Sequence, residues 1–156
     1  MLKNLRVIVI FLTVSFIFQN TACSITLEQG KQAFQKYVKC SNDCSVALIG
    51  MYDKNSLIKR VVQNPDGSSY TKILPIGMYK TMLIGYSKAA LLQGYSNIYT
   101  NVSFYQSGED VVVKALRHPS TSKERLPATI IFGKNNSGKI IVKEEIFNTN
   151  ASFLLK

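Results

Sequence analysis

Two stretches of the C-terminal third decide the fold: NIYTNVSFYQSGEDVVVKALRHP (97–119) and PATIIFGKNNSGKIIVKEEIF (127–147). In each stretch, two runs rich in Val, Ile, Tyr and Phe flank a polar break that contains glycine, which is the pattern of a β-hairpin. The breaks are QSGED (106–110) and KNNSGK (134–139). Two consecutive hairpins predict an antiparallel sheet, and the upstream helices are expected to pack over it in an α+β fold.

The last predicted strand alternates in a way that assigns its two faces. A period of two places Ile140, Val142 and Ile146 on one face. The opposite face then carries a mixture of apolar and charged side chains: Ile141, Lys143, Glu145 and Phe147. A face of this composition predicts partial cover by a partner.

The chain opens with a segment typical of a signal peptide. Basic Lys3 and Arg6 precede an apolar core at 7–18, and polar residues follow. This core is shorter than the roughly 20 apolar residues of a membrane-spanning helix, so cleavage is expected. We therefore predict a signal peptide at 1–22 and a single domain at 23–156, exported to the periplasm or envelope or else secreted.

The residues around Cys23 leave two modes of export open. NTACS (20–24) resembles the lipobox of bacterial lipoproteins, in which the cysteine is acylated, although that pattern prefers an aliphatic residue to Asn20. Ordinary cleavage after Ser24 would instead use Ala22 and Ser24 as the small residues. Cys23 is thus a lipidation candidate, and a lipid anchor is the one membrane attachment expected.

Both modes leave Cys40 and Cys44 as a pair on either side of turn-forming residues. In an oxidising compartment they are expected to form a disulfide that fixes the corner between two helices. Their C-x-x-x-C spacing differs from the C-x-x-C of redox catalysts, and His118 is the only histidine that could join them at a metal. No metal and no cofactor is therefore expected.

The charge of the chain narrows the class of partner. Removal of 1–22 takes away Lys3 and Arg6 and no acid, which lowers the formal net charge by two, from +10 to +8. A net charge of this size favours contact with anionic surfaces; alternatively, it only keeps the protein soluble. The basic residues form no dense run, so nucleic acid is not expected as a partner.

Residues 26–94, upstream of the two hairpins, also contain local signals for helices, strands and turns. Thr26 and Gln29 form a capping box, which predicts the start of a helix. The other predicted elements are a short helix at 45–52, strands at 57–63 and 69–73 around an NPDG turn (64–67), and a helix at 76–92 that stops at Gly94.

This order of elements resembles the NTF2-like superfamily, the cone-shaped α+β fold shared with ketosteroid isomerase and SnoaL-like proteins. The matching pieces are LIGMYD (48–53), the NPDG turn (64–67), IF (131–132) and SGKIIV (137–142). The resemblance covers about 27–147. It implies a curled antiparallel sheet and helices that enclose a pocket, and pairing of two copies as a homodimer through the sheet face.

The implied pocket would be lined by some of five residues: Tyr52, Tyr79, Met82, Tyr86 and Phe104. The alternative is that these side chains fill the cone as core. The family includes enzymes, ligand binders and periplasmic secretion-system components of the VirB8 type, so the fold alone does not select a function.

Ketosteroid isomerase chemistry needs a carboxylate base and a second, protonated acid. Where the resemblance places these acids, the chain has LIKRVV (57–62) and ATIIF (128–132), neither of which contains a carboxyl group. Asp53 is the only acid beside a predicted pocket tyrosine. We therefore predict no catalytic residue. We expect an exported, non-catalytic domain that binds an envelope protein or a small apolar ligand, with a small isomerase or hydratase as the alternative.

Overall fold

The computed structural model describes residues 24–150. The predicted signal peptide, the lipidation candidate Cys23 and residues 151–156 lie outside the described residues. The described elements are α1 (Leu27–Asn42), a 3-10 helix (Val46–Met51), β1 (Tyr52–Gln63), β2 (Ser69–Leu74), α2 (Ile76–Leu92), β3 (Asn97–Ser107), β4 (Asp110–Pro119), β5 (Leu126–Lys134) and β6 (Ile140–Thr149). Neither described α-helix is long and apolar enough to cross a membrane.

The six strands form one curled, unclosed sheet in the order β2-β1-β6-β5-β4-β3. The predicted α+β class, with helices packed over a curled sheet, is confirmed. The sheet is mixed, however, because β1 and β6 pair in parallel while every other neighbouring pair is antiparallel. This one parallel contact joins the first hairpin to the last strand.

The start of α1 is set by local hydrogen bonds. The Thr26 hydroxyl accepts a hydrogen bond from the backbone N–H of Gln29 at 3.1 Å, and the Gln29 side chain accepts one from the N–H of Thr26 at 3.0 Å. The predicted capping box is therefore confirmed. From this start α1 lies across β3, β4 and β5 and buries its apolar stripe against them: Gly30, Ala33, Phe34, Tyr37 and Cys40.

A β-bulge interrupts the alternation of β6. Val142 pairs with Phe132, but the next pair joins Glu144 to Ile131, so β6 contains one more residue than β5 at this point, Lys143. One extra residue in a strand shifts all later side chains to the opposite face.

The bulge overturns the predicted faces of β6. Val142 and Phe147 both belong to the core, and Glu145 between them is 0% exposed. The assignment of Glu145 and Phe147 to an outer, partly wet face is therefore wrong. Ile141 is itself only 4% exposed, so the homodimer through this face stays a prediction without the two apolar contacts on which it was based.

The disulfide expected between Cys40 and Cys44 is not formed, and both thiols are free. Helix α1 continues past Cys40 to Asn42, which keeps the Cys40 side chain on the buried face of the helix. Cys44 follows the helix end in a left-handed conformation with φ of 48°, and its Sγ lies 4.0 Å from the Asn42 carbonyl oxygen. The corner is closed by backbone hydrogen bonds, including one from Ser45 N–H to the Cys40 carbonyl at 2.9 Å.

The contact between α1 and β4 requires glycine at position 30. A Cβ on Gly30 would lie 2.7 Å from the Cβ of Val111, and Val111 is fully buried. We expect Gly30→Ala to lower the free energy of unfolding in urea by about 1–3 kcal/mol, because helix and strand must separate to admit a methyl group.

Gly85→Ala is the matched control. Gly85 also lies inside a helix, α2, but a Cβ there meets nothing within 4 Å. This change should raise stability by roughly 0.5–1 kcal/mol, since alanine loses less backbone entropy on helix formation. A Gly30→Ala variant as stable as the wild type would contradict the close packing of α1 on β4.

Candidate functional site

A cavity of about 830 Å³ lies between the sheet and the helices. The 3-10 helix and α2 supply most of its apolar wall: Val46, Leu48, Ile49, Met82, Leu83, Tyr86, Ala89 and Ala90. The sheet contributes Arg60 from β1, Arg117 from β4 and Phe147 from β6. Val46 and Tyr86 are largely exposed, so the cavity opens to solvent between the 3-10 helix and α2.

The structure brings three of the five predicted pocket residues to this cavity. Tyr79, Met82 and Tyr86 line it from α2. Tyr52 is buried beneath the wall, with its ring edge-on to Tyr79 at a centroid distance of 5.5 Å. Phe104 is partly buried and packs against the core, where its ring meets Phe34 of α1 edge-on at 5.7 Å.

Beneath the cavity, the carboxylate of Glu145 is fully buried and accepts four hydrogen bonds. Its Oε2 accepts from the hydroxyls of Tyr37 and Tyr52, both at 2.6 Å. Its Oε1 accepts from Arg60 Nη2 at 2.6 Å and from the Tyr79 hydroxyl at 3.2 Å. One carboxylate therefore ties together α1, β1, α2 and β6.

This network holds its members in fixed protonation states. Burial by itself raises the pKa of Glu145, but the guanidinium of Arg60 and the hydroxyls of Tyr37 and Tyr52 outweigh it and hold the pKa below its ordinary value. Burial by itself lowers the pKa of Arg60, and the Glu145 carboxylate reverses this and raises it. Burial and then Glu145 also raise the pKa of Tyr37, Tyr52 and Tyr79. At neutral pH the cluster is one ion pair surrounded by neutral phenols.

Arg117 is the second guanidinium on the cavity wall, and its contacts are with neutral groups. Its Nη1 donates to Asn97 Oδ1 at 3.0 Å, and its Nη2 donates weakly to the Asn148 carbonyl at 3.5 Å. The guanidinium carbon lies 4.6 Å from the ring centroid of Phe147. Its Nε is buried without a hydrogen-bond partner.

The acid and the histidine singled out from the sequence lie outside the cavity wall. Asp53 lies where the register between β1 and β6 shifts, and its carboxylate accepts from Asn55 N–H at 2.8 Å. His118 Nε2 lies 2.8 Å from the Ser122 carbonyl oxygen. Within 24–150, no group of three or more His, Cys, Asp and Glu side chains is placed to hold a metal.

The Arg60–Glu145 pair was missed because the bulge in β6 is not visible as a periodic pattern. One signal was present in β1, where Arg60 alternates with Ile58 and Val62. Both neighbours are fully buried, and a buried arginine needs a counter-ion. That argument requires an acid inside the cone, although it does not say which one.

We expect Glu145→Gln to lower the free energy of unfolding by about 3–5 kcal/mol, because it leaves Arg60 as an unpaired buried cation. Glu144→Gln is the control at the adjacent position. Glu144 pairs with Lys59 at 2.5 Å where both side chains keep some solvent contact, so its loss should cost at most about 1 kcal/mol in the same urea titration.

The same variant tests the pKa of Glu145. A carboxyl whose pKa is lower in the folded state contributes stability above its unfolded pKa and loses that contribution as pH falls through the folded pKa. The acid limb of the stability curve should therefore be flatter in Glu145→Gln than in the wild type. Equal acid limbs would show that folding does not lower the pKa of Glu145.

Comparison with solved structures places this cone among known folds. A protein of unknown function from the DUF3225 family of Pectobacterium atrosepticum superposes with a TM-score of 0.58 at 14% identity, over 78% of this chain and 88% of that one. An NTF2-like protein with a cystatin-like fold from Novosphingobium aromaticivorans gives 0.57 at 11% identity, over 100% and 99%. An NTF2-like protein from Cytophaga hutchinsonii gives 0.54 at 11% identity, over 78% and 96%.

No family model matches the sequence, and no curated protein does. At these identities the superpositions establish the architecture and leave the activity open. The helix pair, the curled six-stranded sheet and the cavity between them show that this chain has the NTF2-like fold.

Proposed function

We propose that this protein is an exported, non-catalytic NTF2-like domain that binds a small apolar ligand in the cavity between α2 and the sheet. The observation that carries the proposal is the cavity itself. Its volume of about 830 Å³ lies in the range of small-molecule sites, which are typically apolar with a few convergent polar groups.

The composition of α2 supports a ligand at this position. This helix is apolar around most of its circumference, yet Tyr79 is its one buried residue among those described. Helices apolar on all sides are normally covered. Met82, Leu83 and Ala90 all line the cavity, so an apolar ligand would remove them from water and add to the weak burial of the helix.

The protonation states near the cavity support binding over the isomerase or hydratase alternative. A general base needs a pKa near the working pH and a free lone pair within reach of the substrate. The Glu145 carboxylate lies beneath the wall, has both oxygens occupied and has a lowered pKa. Tyr79 and Arg60 do line the cavity, but both hold their protons more tightly than usual.

The proposal predicts saturable binding of an apolar fluorescent probe, N-phenyl-1-naphthylamine, by residues 24–156 at one site per chain. Ala90→Trp should weaken this binding by at least roughly tenfold, because the indole would occupy part of the cavity. A tenfold change in Kd corresponds to about 1.4 kcal/mol of binding free energy. Fluorescence titration measures the affinity, and circular dichroism checks that the variant is folded.

Leu91→Trp is the control on the same helix. Leu91 is 60% exposed and does not line the cavity, so the probe should bind this variant as it binds the wild type. Absence of saturable binding to the wild type would refute the proposed function. If a folded Ala90→Trp variant binds the probe as tightly as the wild type does, the binding site lies outside this cavity.

A further inference from the structure

The cavity wall carries two positive charges, and the described part of the protein neutralises one of them. Its two charged residues among those described are Arg60 and Arg117, and neither Asp nor Glu lines it. Glu145 forms an ion pair with Arg60 at 2.6 Å. In the part of the chain that the structure describes, no carboxylate forms an ion pair with Arg117.

The hydrogen bonds of Arg117 leave its guanidinium under-satisfied. A guanidinium has five N–H donors, and this one makes one good bond, to Asn97, and one long bond, to the Asn148 carbonyl. Its Nε has no partner at all. A partly buried cation is unfavourable unless it is paired, so an anion brought into the cavity would be attracted to this group.

Arg117 is also held in place before any ligand arrives. Asn97, which anchors it, is buried and exchanges two hydrogen bonds with Asn42 at the end of α1, at 2.8 and 3.1 Å. The Tyr95 hydroxyl donates to the same Asn97 oxygen at 3.2 Å. The guanidinium also lies over the ring of Phe147, which belongs to β6. A positioned guanidinium loses little side-chain freedom when it binds a ligand.

We propose that the ligand is an apolar monocarboxylate whose carboxylate pairs with Arg117 while its apolar body lies along α2. This inference deepens the proposed function and rests on it. The planar carboxylate matches the fork of N–H donors on a guanidinium. One unpaired positive charge balances a monoanion, whereas a phosphate dianion would leave excess negative charge in the cavity.

The test compares decanoate with decanol, which have the same chain and differ in charge, by displacement of N-phenyl-1-naphthylamine. At low salt the wild type should bind decanoate at least about tenfold more tightly than decanol. This is the difference in affinity expected from one hydrogen bond to a charged group. Arg117→Gln should abolish this preference, because it weakens decanoate binding far more than decanol binding. Arg117→Lys, which keeps the charge, should restore part of it.

Arg125→Gln controls for net charge, because Arg125 is exposed and lies outside the cavity wall. It should keep the full preference for decanoate. If Arg125→Gln loses the preference as Arg117→Gln does, the effect comes from the general field of a basic protein and the proposal fails.

A measurement on the wild type keeps the proposal testable if the Arg117 variants do not fold. Carbon NMR of carboxyl-labelled decanoate should show a pKa of the bound ligand below that of the free acid, because the guanidinium stabilises the anion. An unchanged or raised pKa overturns the pairing. Equal binding of decanoate and decanol overturns this inference while the proposed function stands, and no binding of either ligand or of the probe refutes both.

Discussion

The architecture depends on one buried ion pair, Arg60 with Glu145. Moving two charges out of water costs several kcal/mol for each ion, and the network offsets this cost by giving the carboxylate four hydrogen bonds and the guanidinium a close anion. A pair of this kind adds little net stability compared with apolar packing, but removal of either partner is costly. Its main effect is to disfavour every arrangement in which the two groups do not meet.

This constraint acts on the strand pairing that joins the most distant parts of the sequence. Arg60 and Glu145 are 85 residues apart, and they lie on β1 and β6, the two strands that pair in parallel. Slippage of β6 by one residue would turn Glu145 to the outer face and leave Arg60 unpaired inside. The pair therefore selects the register that joins the first hairpin to the rest of the sheet.

The β-bulge at Lys143 turns Glu145 inward. The Lys143 side chain itself is held by an ion pair. Lys143 forms an ion pair with Asp110 at 2.7 Å, and the chain beside this pair is Gly133. A Cβ there would lie 2.5 Å from the Lys143 Cε, so a larger residue would displace the bridge. The same bulge places Phe147 inside the cone, where both Arg60 and Arg117 lie against its ring at 5.0 and 4.6 Å. The position of Phe147 beside both arginines on the cavity wall thus follows from one inserted residue.

The sequence by itself determined the elements whose stabilising contacts are a few residues apart. The capping box at Thr26 starts α1 within the same turn, the predicted bounds of α2 match Ile76–Leu92, and the NPDG turn closes through the Asn64 N–H and the Ser68 carbonyl at 2.8 Å. Together with the two C-terminal hairpins, these local signals were enough for the α+β class and the NTF2-like resemblance.

Only the tertiary structure decided what lies inside the cone. A period-two pattern cannot reveal where a strand gains a residue, so the pattern of β6 predicts Glu145 on the outer face and offers no partner for Arg60. The spacing of Cys40 and Cys44 did not reveal that the helix continues to Asn42. Arg117 becomes a candidate anchor only because Asn97 of β3 and Asn148 and Phe147 of β6 surround it with neutral groups. These properties arise from contacts between distant segments, and such contacts leave no periodic trace in the sequence of either partner.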